Sequence, residues 1–113
     1  MYKLVFFVPE THLEQVKTAV FTAGAGRFGN YDQCCWQVAG QGQFRPLAGA
    51  KPFIGQQGQL ENLNEFRVEM VCADEFIVAA VAALRLAHPY EEPAFDVWRL
   101  ADLELTREGK SFE

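Results

Sequence analysis

Tyr2-Lys3-Leu4-Val5-Phe6-Phe7-Val8 and, 64 positions further on, Phe66-Arg67-Val68-Glu69-Met70-Val71-Cys72 are the two stretches on which the fold turns. The first is a short run of β-branched and aromatic residues closed by Pro9, as a buried strand requires. The second alternates Phe66, Val68, Met70 and Cys72 against Arg67 and Glu69. The residues after each stretch are also alike at the same offset: Glu10 falls on Asp74, Leu13 on Ile77, Val20 on Leu84, Ala23 on Ala87, Tyr31 on Phe95 and Asp32 on Asp96. In the first half, Thr11 is placed to cap a helix whose apolar positions Leu13, Val16, Val20 and Ala23 keep near the 3.6-residue period, with Gly24 at its C-terminal end. In the second half, Asp74 is the predicted cap of a helix running through Ala87, and Pro89 stops it. Tyr31 to Ala39 then reads as the second strand, with Cys34, Trp36 and Val38 on one face, and Ala94 to Leu100 as the last. Two strand–helix–strand units with right-handed crossovers predict an α+β, ferredoxin-like double βαβ sandwich, a four-stranded antiparallel sheet with two helices on one face.

The halves are joined by a long loop. Eight of the nine glycines lie between Gly24 and Gly58, and Pro46 and Pro52 fall in the same region, so Gly40 to about Asn62 is punctuated rather than periodic; Gln41 to Phe44 is placed to add a short strand. At 113 residues the chain has the size of one domain, 1–113, with a core at about 2–100 and a polar tail at 101–113.

Ten basic against fifteen acidic residues give a net charge of −5, which argues against duplex binding, since that affinity rests on neutralising phosphates. Three cysteines, two of them adjacent (Cys34, Cys35), and no C-x-x-C spacing suggest free thiols rather than a disulfide framework or a zinc site. Without a leader pattern or an apolar run of the roughly 18 to 20 residues that span a bilayer, a soluble cytoplasmic protein that binds no membrane is expected.

A two-layer sandwich leaves one sheet face open, and that face should be polar unless another subunit covers it. Here both faces carry apolar bulk. Tyr2, Leu4, Phe6 and Val8 point one way and Val5 and Phe7 the other, while from Phe76 to Ala87 the only charged residue is Arg85. A helix apolar nearly all round is usually buried all round, so a homo-oligomer is predicted.

Gly24-Ala25-Gly26-Arg27-Phe28-Gly29 matches G-x-G-x-x-G, but it follows a helix and opens a strand, the reverse of the dinucleotide fingerprint. These glycines serve a helix end and a turn. The denser cluster is His88-Pro89-Tyr90-Glu91-Glu92-Pro93. One imidazole and two carboxylates there suit a divalent metal, with His88 and Glu91 as ligands, or a proton relay. The same residues also suit a plain turn: a histidine at a helix C-terminus, a proline stop and exposed glutamates. His12 is expected at the surface, with nothing in the sequence to bring it near this cluster. Cys34 and Cys35, as strand neighbours, would point to opposite faces and serve as core and interface fillers.

His88-Pro89-Tyr90-Glu91-Glu92-Pro93-Ala94-Phe95-Asp96-Val97, with Gly24-Ala25-Gly26, Gly29-Asn30-Tyr31, Gly40-Gln41-Gly42-Gln43-Phe44-Arg45-Pro46 and Pro52-Phe53-Ile54-Gly55, resembles the inserted middle domain of the YqfO family, also called NGG-interacting-factor-three-like or GTP cyclohydrolase I type 2 homologues. The resemblance runs from Tyr2 to about Leu100. The His-Pro-Tyr-Glu-x-Pro core is also similar to the CutA family of trimeric ferredoxin-like proteins linked to divalent-cation tolerance. Both resemblances imply a CutA- and PII-like fold and a trimer. The two YqfO halves that carry a dinuclear metal centre have no counterpart in these residues, so the resemblance transfers no hydrolase role and points to a standalone domain. It carries over the Gly40 to Pro46 and Pro52 to Gly55 loop and the His88 turn as segments that meet at clefts between subunits.

Three readings are open. The leading one is a non-catalytic trimeric domain binding a small molecule or divalent ion at those clefts, with Arg45 as an anion contact, His88, Tyr90, Glu91 and Glu92 as polar contacts, and Gly40, Gly42 and Gly55 shaping the loop. The second is a pure assembly module, in which the same residues only lock turns and interface. The third is a metal-dependent enzyme using the His88 turn, for which the sequence shows no nucleophile or second base.

Overall fold

The computed structural model describes residues 1–103 and contains β1 (Tyr2–Pro9), a 3-10 turn (Glu10–His12), α1 (Leu13–Thr22), β2 (Trp36–Phe44), β3 (Glu61–Cys72), α2 (Ile77–Ala87) and β4 (Phe95–Arg99). The sheet order is β2-β3-β1-β4, every neighbouring pair antiparallel. This is the predicted double βαβ sandwich. β1 lies between β3 and β4 and supplies Leu4, Phe6 and Val8 to the core, where they meet Val68, Met70 and Cys72 of β3, Leu13, Val16 and Val20 of α1, and Ile77, Ala80 and Leu84 of α2. Alternation along the strands and three- to four-residue spacing along the helices put these side chains in one layer between sheet and helices.

The 64-residue offset holds for β1 against β3 and for the two helices, but not for the second strand. Tyr31 to Cys35 stay outside the sheet. Phe28 and Tyr31 exchange backbone hydrogen bonds of 2.9 and 3.0 Å, Gln33 takes φ +54°, and the Cys34 N–H donates to the Gly26 carbonyl at 2.8 Å. β2 therefore begins at Trp36 and absorbs Gln41 to Phe44, which are no separate strand. Cys34 is half-buried and Cys35 exposed in the segment before β2, and Cys72 is in the core. β3 begins earlier than Phe66, at Glu61, because all of β2 pairs with it, from Trp36↔Glu69 to Phe44↔Glu61. Since β1 reaches only Glu65, residues 61–64 and their β2 partners form a two-stranded arm beyond the sheet. The joining loop shrinks to residues 45–60.

Neither predicted cap side chain caps its helix. Thr11 Oγ1 bonds His12 Nδ1 at 2.9 Å, and α1 is entered through the 3-10 turn. Asp74 instead pairs with the N-terminal ammonium and, at 3.2 Å, with Arg99, which ties the start of β1 to the end of β4. Gly24, at φ +115° after α1, is required: a Cβ there would lie 2.5 Å from Cγ of the Phe76 ring at the start of α2. β4 is Phe95–Arg99, a residue shorter at each end than predicted. Residues 101–103 are irregular, and the rest of the predicted polar tail lies outside the described residues.

On the sheet face away from the helices, the register sets Trp36, Glu69, Val5 and Asp96 in one row and Val38, Arg67 and Phe7 in the next, with Trp98 opposite Lys3. Val5 is wholly covered by its neighbours, whereas Trp36 and Trp98 are 60% and 47% exposed. On α2 the outer positions Val78 and Leu86 are also exposed. Both apolar surfaces read from the sequence are therefore present on the chain. Among the described residues no helix is long and apolar enough to cross a membrane.

Candidate functional site

The His88 turn closes one end of the sandwich where α2 hands over to β4. His88 is only 6% exposed, and both of its ring nitrogens are engaged: Nε2 lies 2.7 Å from the Phe7 carbonyl oxygen and Nδ1 lies 3.1 Å from the Tyr90 backbone nitrogen. A carbonyl can only accept and an amide N–H only donate, so the ring is the neutral Nε2–H tautomer. Burial pushes the His88 pKa below its ordinary value, against the opposing effects of the Phe7 carbonyl and the Glu65 charge. An ion at this imidazole would have to displace one of the two bonds.

Tyr90 is the hinge of the site. Its hydroxyl donates to Glu65 Oε2 at 2.8 Å, and burial, then that bond and the carboxylate charge, hold the phenol well above its usual pKa. Its ring stands 4.7 Å from that of His88, 6.3 Å from Phe53 and 6.4 Å from Phe44. The carboxylate of Glu65 can lie across β2 because Gly42 is there: a Cβ on Gly42 would come within 2.7 Å of Glu65 Cδ and still closer to Oε1. The loop at 45–60 is fastened to this turn by the Lys51 N–H, which donates to Glu91 Oε1 at 3.1 Å, and is folded on itself by Gly58 N–H to Pro46 O and Gln57 Nε2 to Ala50 O. Gly55, at φ +92°, leaves room for Glu61, whose Cγ would otherwise meet a Cβ at 2.7 Å.

Between the loop, the base of the arm and the turn lies a cavity of about 260 Å³, walled by Phe44, Pro46, Pro52 and the Tyr90 ring and bearing Glu65, Glu91 and Glu92. Of the residues read from the sequence, Tyr90, Glu91 and Glu92 line it, His88 braces it from behind, and Gly42 makes room for Glu65 in its wall, whereas Gly55 seats Glu61, which does not line it. Arg45 does not line it; Phe44 and Pro46 turn inward on either side and leave Arg45 exposed. Gly40 faces open space, so nothing in its surroundings requires a glycine. Among the described residues no three His, Cys, Asp or Glu side chains are grouped to hold a metal ion.

Sequence reading missed Glu65 and His12. Glu65 pairs with Gly40 while its carboxylate leans over Gly42, a placement that exists only in the β2–β3 register. His12 comes to the site only through the folded loop, where it meets the Phe53 ring edge-on at 5.4 Å.

Matches to known proteins bear on the fold and the sequence. Over 102 residues, 90% of the chain, the sequence is 47% identical to a GTP cyclohydrolase 1 type 2 homolog of Halalkalibacterium halodurans. This chain corresponds to one segment of the GTP cyclohydrolase 1 type 2 homologues. It spans about a quarter of their length, 27% in that relative. No protein-family model matches the chain. Among solved structures, a Bacillus cereus protein related to NIF3 superposes with TM-score 0.77 and 40% identity, over 89% of this chain and 26% of that one. The periplasmic divalent cation tolerance protein CutA of Archaeoglobus fulgidus superposes with TM-score 0.64 at 13% identity, over 90% of this chain and 86% of that one. The CutA likeness establishes a shared fold, whereas the Bacillus cereus protein related to NIF3 shares both the fold and, at 40% identity, the sequence.

Proposed function

We propose that this segment is a non-catalytic, ligand-binding domain that works as a homo-oligomer, a trimer, in the cytoplasm, with its pockets at the clefts between subunits. The observation that carries the reading is the cavity between the 45–60 loop and the His88 turn. Its walls are held by specific bonds from three separate parts of the chain, Lys51 to Glu91, Tyr90 to Glu65 and His88 to Phe7. Concave, mostly apolar sites with a few fixed polar groups are what small molecules occupy. The commitment of both His88 nitrogens to backbone bonds speaks against a proton-transfer role for that ring. The exposed Trp36 and Trp98 on the open sheet face support subunit association, and the three unpaired thiols suit a reducing compartment.

Assembly without a ligand is the second reading, and the same exposed tryptophans favour it. The two separate by experiment. A metabolite library is screened by ligand-observed NMR against wild type and against Ala94→Trp, which fills the cavity from its rim. Compounds that bind wild type and not the variant support a pocket. Absence of any binder, with an intact oligomer by light scattering, supports the assembly reading.

A further inference from the structure

The cavity is apolar or acidic on every side but one, where Gln43 adds a neutral amide. Phe44, Pro46 and the Tyr90 ring offer carbon and π-faces, Glu65, Glu91 and Glu92 offer negative charge, and no lysine, arginine or histidine lines it. None of these three carboxylates forms an ion pair among the described residues; the nearby Arg67 pairs with Glu69 instead, at 3.3 Å. We propose that this pocket takes an organic cation, an ammonium group carried on an apolar or aromatic body; this rests on the ligand-binding reading above.

Three physical points lead there. An anion would enter a site of like charge with no counter-ion, since Arg45 stands outside it. A hard metal ion asks for six or more oxygen ligands, whereas one oxygen of Glu65 already takes the Tyr90 hydroxyl and one of Glu91 takes the Lys51 amide, and apart from Glu92 and the Gln43 amide the remaining walls are carbon. An ammonium group needs less. It donates to the free carboxylate lone pairs, and its hydrated charge is replaced in part by the Tyr90 and Phe44 rings, whose faces attract cations. The apolar walls then cover the body of the ligand.

The test uses three probes of one shape, benzylammonium, benzyl alcohol and benzoate, titrated into the full chain at neutral pH and followed by amide chemical shifts. Benzylammonium should move the resonances of Phe44, Tyr90 and Glu91 and bind tighter than the other two. Glu65→Gln, whose amide oxygen still accepts the Tyr90 hydroxyl, and the exposed Glu92→Gln should each weaken benzylammonium, by about tenfold for Glu65→Gln as a charge-assisted bond is lost, and leave benzyl alcohol unchanged. Benzoate or benzyl alcohol binding these residues as tightly as benzylammonium would overturn the cation assignment and leave the pocket standing. If no probe moves them, and the library screen finds no pocket binder, both readings fall.

Discussion

Replacing His88 by alanine is the perturbation that most sharply separates a bracing role from a ligating one. The ring is buried and makes two bonds, to the Phe7 carbonyl of the central strand and from the Tyr90 amide of the turn. Each is worth about 1 kcal/mol net, and the Phe7 carbonyl and Tyr90 N–H are left without partners beside a void of imidazole size, which brings the expected loss to about 3 kcal/mol. With a urea slope of about 1.5 kcal/mol per molar, the midpoint should fall by roughly 2 M at fixed protein concentration. A second signature is pH. The His88 pKa is depressed in the folded chain from an ordinary 6.5, so the unfolded chain binds the proton more readily. This part of the stability is complete above pH 6.5 and is lost as pH falls through the lower folded value. His88→Ala should remove that component along with the stability. A midpoint shift below about 0.5 M, with an unchanged acid limb, would refute the bracing argument.

Tyr90→Phe should cost about 1 kcal/mol in urea unfolding, and spectrophotometric titration should lose the phenol whose ionisation burial and Glu65 push up. In the wild type, the stability from that raised phenol pKa is present below pH 10 and is lost as pH rises through the folded value. Gly24→Ala, which forces a Cβ into the Phe76 ring at positive φ, should destabilise by about 2 to 3 kcal/mol, whereas Gly40→Ala, facing open space, should stay within about 0.5 kcal/mol; thermal melts compare the two directly. The double variant Trp36→Ser, Trp98→Ser should shift the oligomer toward monomer in light scattering and leave the far-ultraviolet circular dichroism unchanged, because both rings lie outside the core.

The fold was legible because its core obeys periodic rules: Leu4, Phe6 and Val8 alternate, Val16 and Val20 or Ala80 and Leu84 recur at helical spacing, and the two halves repeat the pattern. The second strand was started too early because Tyr31 and Asp32 match Phe95 and Asp96 at the 64-residue offset, while Gln33 and the Phe28–Tyr31 bridge divert the backbone, a local conformational choice that side-chain patterning does not record. The caps failed for a similar reason. Asp74 has a better partner in the N-terminal ammonium and Arg99 than in the helix amides, and that partnership exists only once β1 and β4 are side by side. At the site, Tyr90, Glu91 and Glu92 were visible as a dense polar turn. Their relation to Glu65, Phe44 and Phe53 was not, since it depends on the β2–β3 register and on a loop held by the Lys51 N–H hydrogen bond to Glu91 and by the Phe53 ring contacts.

Native mass spectrometry of protein purified gently and without chelator tests the central claim most directly, since it reads subunit number and bound mass in one spectrum. A trimer carrying non-protein mass that survives EDTA and disappears in Ala94→Trp is expected. A bare monomer would contradict both the oligomer and the ligand site.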